Sequence, residues 1–279
     1  MTHPIFWALI FLKNMERQFR YRSSVISYQR FGKGPQPVIC FHGYGEQAGV
    51  FSFFEKEAGD RFSFFAFDIP FHGKTEWNEG LQFTINDLLK IINCETYNRQ
   101  PVLMGFSLGG RVALSLFEAA PDKFCKLILL APDGLKINFW YWFSTQTLMG
   151  RKIFSFTMKH PGWFFGFLKL MNKLKLVNAS IFKFVKFYID NEEMRTLLYK
   201  RWICLRKLKP NLKKIKKAIN ETQTTVRLMY GKHDRIILPV VGERFRKGIE
   251  DYCTITIIAA GHQVLHEKHV AEILNLILD

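Results

Sequence analysis

Short apolar runs, bounded by glycine, proline and polar residues, alternate along most of this chain with segments whose apolar positions recur at helical spacing. Arg17 to Arg22 and Val25 to Phe31 alternate apolar with polar positions and predict two strands of a hairpin-like opening. Gly32-Lys33-Gly34-Pro35 is a turn, and Pro37 to Phe41 predicts a buried strand that ends at His42-Gly43-Tyr44-Gly45. Val50 to Ala58 has helical spacing. Arg61 to Phe67 predicts a strand ending in Asp68-Ile69-Pro70-Phe71-His72-Gly73, and Thr84 to Cys94 an amphipathic helix. Pro101 to Met104 is a short buried strand, the spacing of Arg111 to Phe117 fits a helix, and Lys126 to Ala131 is the next strand, closed by Pro132-Asp133-Gly134.

The alternation then stops. From Lys136 to Asn220 the pattern is helical, rich in Phe, Trp, Lys and Leu, and no stretch reads as a strand. It resumes with a strand at Thr225 to Tyr230, followed by Gly231-Lys232-His233-Asp234 and a helix near Val240 to Lys247. A strand at Thr254 to Ala259, the loop Ala260-Gly261-His262 and a helix from about Lys268 to Leu278 complete the chain. Strands alternating with helices imply a mostly parallel central sheet covered on both faces. The expected organisation is therefore a sheet domain over 15–134 and 221–279, a helical insertion over 135–220 and an N-terminal arm over 1–14.

In a parallel sheet the ligand site lies beyond the carboxyl ends of the strands. Five polar or glycine-rich loops fall there, at His42, Asp68, Ser107, Asp234 and His262. The sharpest is Gly105-Phe106-Ser107-Leu108-Gly109-Gly110, a serine held between small residues where a strand turns into a helix. That is the sequence form of a nucleophile elbow: a β-carbon at Gly105 or Gly109 would collide with neighbouring chain, and the new helix points its N–H groups at the serine.

Composition changes this picture in two places. With 48% hydrophobic and 23% charged residues the chain has the means to bury a large core, which excludes a disordered protein. The net charge of +16 is local: Lys136 to Lys217 holds 19 Lys and Arg against 3 Asp and Glu, so the rest of the chain is neutral. The same segment carries 17 of the 43 aromatic residues. The rings read first as the core of the insertion and its seam, the remainder as the wall of an apolar pocket. The charge has three readings: a solvated face, an attractor of anionic substrate, or contact with an anionic membrane surface. No recognition motif for nucleic acid accompanies it.

The five cysteines, Cys40, Cys94, Cys125, Cys204 and Cys253, are odd in number and form no C-x-x-C pair. They suggest neither a disulfide framework nor a thiolate metal site, and fit a reducing, cytoplasmic compartment. No histidine spacing suggests zinc, and no cofactor is expected. Pro4 to Leu12 is apolar but too short to span a bilayer and lacks the flanks of a secretory signal. A loose arm, a later start at Met15 and a peripheral membrane anchor are its three readings.

Taken in order, His42-Gly43-Tyr44-Gly45, Asp68 to Gly73, the Gly105–Gly110 elbow, Gly231 to Asp234 and Gly261-His262 resemble the α/β-hydrolase family over essentially residues 20–279. The resemblance implies that Ser107 is a nucleophile, His262 its base and Asp234 the acid that orients the imidazole. It implies an oxyanion hole from the backbone N–H groups of Tyr44 and Leu108, supported by His42, Gly43, Gly105 and Gly109. His233 rivals Asp234 as the functional residue of its turn, and His266 and His269, read as solvated, rival His262. Asp68 and His72 are read as turn formers. The insertion then stands where this family carries a helical cap. The expected activity is hydrolysis of a carboxylic ester or thioester of a largely apolar small molecule. Two alternatives stay open. One is non-ester chemistry of the same fold: the run Gly105 to Leu114 also looks like that of the menaquinone-pathway lyase that eliminates pyruvate from a succinyl-cyclohexadiene, and cofactor-free haloperoxidases and C–C bond hydrolases resemble this pattern too. The other is a non-catalytic, membrane-associated member of the fold.

Overall fold

The apolar runs pair as eight strands of one sheet: β1 (Glu16–Tyr21), β2 (Ser24–Phe31), β3 (Gln36–Phe41), β4 (Phe62–Phe67), β5 (Val102–Phe106), β6 (Lys126–Leu130), β7 (Thr225–Gly231) and β8 (Cys253–Ile258). Their order is β1-β2-β4-β3-β5-β6-β7-β8. β1 pairs antiparallel with β2, and β2 with β4; the other five pairings are parallel. This computed structural model describes residues 16–58, 60–95, 97, 99–136, 138–173 and 189–279; the arm expected over 1–14 lies outside them.

Ten helices are described: α1 (Phe54–Ala58), α2 (Ile85–Ile92), α3 (Leu108–Ala119), α4 (Phe139–Gln146), α5 (Leu148–Lys159), α6 (Pro161–Lys173), α7 (Glu192–Cys204), α8 (Leu212–Thr222), α9 (Pro239–Arg246) and α10 (Val270–Leu278). Successive strand residues point to opposite faces. On one face Val38, Cys40, Phe64, Met104 and Ile128 pack with Phe54 of α1 and with Ile273 and Ile277 of α10. The alternate residues Ile39, Leu103, Leu127 and Leu129 are equally buried on the other face, and α3 packs against β3, β5 and β6. Both faces being covered is why the strands read as continuous apolar runs.

The chain divides into two units. The first holds the sheet, running to Glu79, resuming over Thr84–Lys136 and closing with Leu208–Asp279; the second comprises Gly80–Phe83 and Ile137–Lys207. The boundary expected at 220 therefore moves to 207. Ile215 and Ile219 of α8 are fully buried and α8 packs on α3, so its apolar stripe belongs to the sheet unit despite its run of lysines. Four residues far upstream join the second unit, where the Phe83 N–H donates to Cys204 O at 3.1 Å and Arg206 donates to Leu81 O at 3.0 Å.

In the second unit the helices start where short polar side chains cap them. Asn138 accepts from the N–H groups of Trp140 and Tyr141, Thr147 from Gly150, and Asn191 from Met194. Its core is small, built on Phe154, Met158, Ile189 and Ile203. The expectation that most of its rings are core holds only in part: among its described aromatic residues Phe83 and Phe154 are buried and Phe164, Phe165, Tyr199 and Trp202 pack partly buried against the core, while Phe139, Trp140, Trp142, Phe156, Trp163 and Phe167 are exposed. A few short helices enclose too little volume to take in so many rings.

Two smaller expectations also change. The helix expected over Val50 to Ala58 is a 3₁₀ turn at Ala48–Phe51 followed by α1; the Ala48 N–H donates to Asp68 Oδ1 at 2.6 Å, which starts the turn early. His269, expected in solvent, is only 8% exposed, because a 3₁₀ turn at Glu267–His269 precedes α10 and folds it inward.

Candidate active site

Strand order reverses at β3, whose neighbours are β4 on one side and β5 on the other. At such a switch point the loops leaving two adjacent parallel strands part and open a crevice. The register pairs Phe41 with Gly105, which sets His42-Gly43 beside Phe106-Ser107 at the crevice.

Ser107 occupies the tight turn between β5 and α3 with φ 49° and ψ −114°. A non-glycine residue there carries ~1–3 kcal/mol of backbone strain and persists only where its surroundings enforce it. Three hydrogen bonds do so: the Ser107 N–H donates to Leu130 O at 3.0 Å, and Ser107 O accepts from Gly110 at 2.9 Å and Asp133 at 2.8 Å. The glycines are needed for space. A β-carbon at Gly105 would stand 2.3 Å from Gly109 O, and one at Gly109 would stand 2.0 Å from Phe41 O. Leu108 is the first residue of α3, so its N–H has no acceptor within the helix.

Asp234 and His262 reach the same place from β7 and β8. Backbone bonds stitch their loops together: Lys232 donates to Ile258 O at 2.8 Å and His233 to Ala260 O at 2.9 Å. The result is a continuous line. His262 Nε2 lies 3.0 Å from Ser107 Oγ and His262 Nδ1 lies 2.8 Å from Asp234 Oδ2. The other carboxylate oxygen of Asp234 accepts from the N–H groups of Ile236 at 2.7 Å and Ile237 at 3.0 Å. Asp234 is buried, while the His262 side chain keeps 20% of its surface. The Phe106 ring lies 5.5 Å from the imidazole, centroid to centroid. A hydroxyl, an imidazole and a buried, doubly hydrogen-bonded carboxylate in this order can pass a proton from the hydroxyl to the imidazole and stabilise the charge formed.

Of the rivals, His233 and His266 are exposed, and His269 Nδ1 faces Glu272 at 3.8 Å. His42 is fully buried; its Nδ1 lies 2.8 Å from Gly43 O, and its Nε2 accepts from Ile69 at 3.4 Å. Asp68 is a turn former, accepting from Ala48 and from Lys74 at 3.0 Å. His72 lies beside the loop, with its ring edge-on to Tyr44 at 5.9 Å.

One residue that the sequence reading passed over sits in this loop. Glu46 accepts the Gly43 N–H at 2.9 Å through one oxygen and the Gln263 amide at 3.0 Å through the other. It ties the loop after β3 to the residue next to His262. An acidic residue in a glycine-rich loop was the available signal; its partner, 217 residues away, was not. Among the described residues no group of His, Cys, Asp and Glu is arranged to hold a metal ion.

A family model described as the alpha/beta hydrolase fold matches residues 36–269. The chain is 24% identical to the uncharacterized hydrolase YugF of Bacillus subtilis (strain 168) over 93% of its length and 97% of that protein. It is 33% identical to the pimeloyl-acyl-carrier-protein methyl ester esterase of Methylococcus capsulatus, over 36% of this chain and 37% of that one. Among solved structures, an esterase of Thermogutta terrifontis superposes with a TM-score of 0.64 at 18% identity, over 94% of this chain and 98% of that one.

Proposed function

The chain belongs to the alpha/beta hydrolase fold family, and from that premise we propose that it is a serine hydrolase that cleaves a carboxylic ester or thioester through an acyl-enzyme on Ser107. The observation that carries the reading is the line from Ser107 Oγ through His262 to Asp234, at 3.0 and 2.8 Å.

In this mechanism His262 Nε2 takes the Ser107 proton as Oγ attacks the carbonyl carbon. Asp234 holds the Nδ1 proton and stabilises the imidazolium. Negative charge gathers on the carbonyl oxygen, and the N–H groups of Leu108 and Tyr44 are its proposed donors. Loss of one such donor typically costs about 3 kcal/mol in the transition state. The Gly43 N–H is committed to Glu46, which is why Tyr44 rather than Gly43 takes that part. The leaving alcohol or thiol receives the proton from His262, and a water activated by the same imidazole releases the acid.

An ester comes first because the Methylococcus and Thermogutta relatives are esterases by name. The test is turnover of p-nitrophenyl esters from acetyl to palmitoyl, with Ser107→Ala alongside and a fluorophosphonate to label the serine. Turnover should fall by about 10⁴-fold or more in the variant. Absence of labelling in folded protein sinks the enzyme reading. Labelling without turnover of any ester sinks the ester and moves a non-hydrolytic chemistry forward.

A further inference from the structure

Helices α5 and α6 each carry an apolar stripe that faces solvent. Met149, Ile153 and Phe156 recur at i, i+4 and i+7 along α5 and are 63%, 39% and 54% exposed. Trp163, Phe167 and Leu170 repeat the spacing along α6 and are 45%, 48% and 54% exposed. The stripes join, since the rings of Phe156 and Trp163 lie 6.4 Å apart, centroid to centroid. The inward faces of the same helices use different residues, among them Phe154, Met158 and Phe164. A contiguous exposed stripe of this size on a helical unit marks an interaction surface.

Charge identifies what fits it. Residues 134–189 hold nine Lys and Arg and not one Asp or Glu. Lys152, Lys159 and Lys173 are exposed on these same two helices. A second copy of the chain would bring the same positive field against itself, which opposes pairing through this face. An anionic lipid surface offers both complements: headgroups for the lysines, and an acyl boundary for rings and aliphatic tips. No described helix is long and apolar enough to cross a membrane, so contact is along the surface.

We propose that the exposed face of α5 and α6 docks on the surface of an anionic phospholipid bilayer, with the Met149 and Trp163 stripes in the interface and the lysines against the headgroups. This inference stands apart from the ester reading.

The experiment is co-sedimentation of the full chain with phosphatidylcholine vesicles, with and without phosphatidylglycerol. The wild type should sediment with the phosphatidylglycerol vesicles and not with phosphatidylcholine alone. The double variant Trp163→Asp/Phe167→Asp should lose binding. Lys152→Glu/Lys159→Glu should weaken it by at least about fivefold for each lysine removed. All four side chains changed are exposed, so helicity by circular dichroism should stay at the wild-type level. Equal binding to both vesicle types would overturn the anionic partner. Binding to neither would overturn the proposal, and so would an oligomer that Trp163→Asp/Phe167→Asp converts to monomer without any lipid binding.

Discussion

Strain at Ser107 is a property of one residue that its neighbours sustain. With φ at 49° the turn holds only while Gly105 and Gly109 leave room, so Gly109→Ala, whose β-carbon would meet Phe41 O at 2.0 Å, should lower both thermal stability and fluorophosphonate labelling. Asp234→Asn separates orientation from charge. An asparagine still accepts from Ile236 and Ile237, but its amide donates to Nδ1 and traps the tautomer that cannot take the Ser107 proton. Turnover should drop by about 10⁴-fold with the fold intact, as measured by steady-state kinetics beside a melting curve. Glu46 acts through other residues. Glu46→Ala frees the Gly43 N–H and uncouples Gln263, and we expect kcat to fall while KM moves little. Recovery in Glu46→Gln, which keeps an acceptor for Gly43, would identify that bond as the one that matters; equal loss in both variants would count against it.

At the scale of elements, α2 shows how a local signal and a distant strand share one carboxylate. Thr84 caps the helix in a reciprocal box with Asp87, and Asp87 also accepts the Tyr21 hydroxyl of β1 at 2.8 Å. Thr84→Ala should cost about 1 kcal/mol in denaturant unfolding. Burial, then the hydrogen bond to Asp87 and its charge, push the Tyr21 phenol up from 10.0 to about 12. The unfolded chain therefore ionises this group first as pH rises. The stabilisation it supplies is complete below pH 10 and is lost between pH 10 and about 12. Tyr21→Phe should flatten the unfolding profile in that window, and an unchanged profile would place the loss elsewhere.

At the scale of the whole molecule, charge and rings are concentrated in one stretch of sequence. The first unit is a well-buried sheet assembly that holds Ser107, His262 and Asp234, with 27 Lys and Arg against 21 Asp and Glu, where the second has 13 against 3. The second is basic, with a small core and many exposed rings. If its charge serves an anionic surface, sedimentation with phosphatidylglycerol vesicles should weaken steadily with added salt as the screening length shortens from ~10 Å at 0.1 M to ~3 Å at 1 M. Turnover of a short, soluble, uncharged ester should vary little over the same range, because a substrate without charge gains nothing from the positive field that salt screens.

The amino-acid sequence by itself determined the sheet, the position of the elbow and the order serine, acid, histidine. Apolar runs of period two, helical spacing between them and glycines at strand ends are local signals, and burial on both faces makes them strong. What only the tertiary structure decided involves partners far apart in the chain. His262 is distinguished from His269 because a 3₁₀ turn folds the second inward. Glu46 acquires its role from Gln263, and α8 joins the sheet unit because Ile215 and Ile219 find α3. The rings of α5 and α6 look like core in sequence, since an aromatic residue at helical spacing is the same letter whether buried or exposed. Only the volume that a few short helices can enclose settles which of them stay outside.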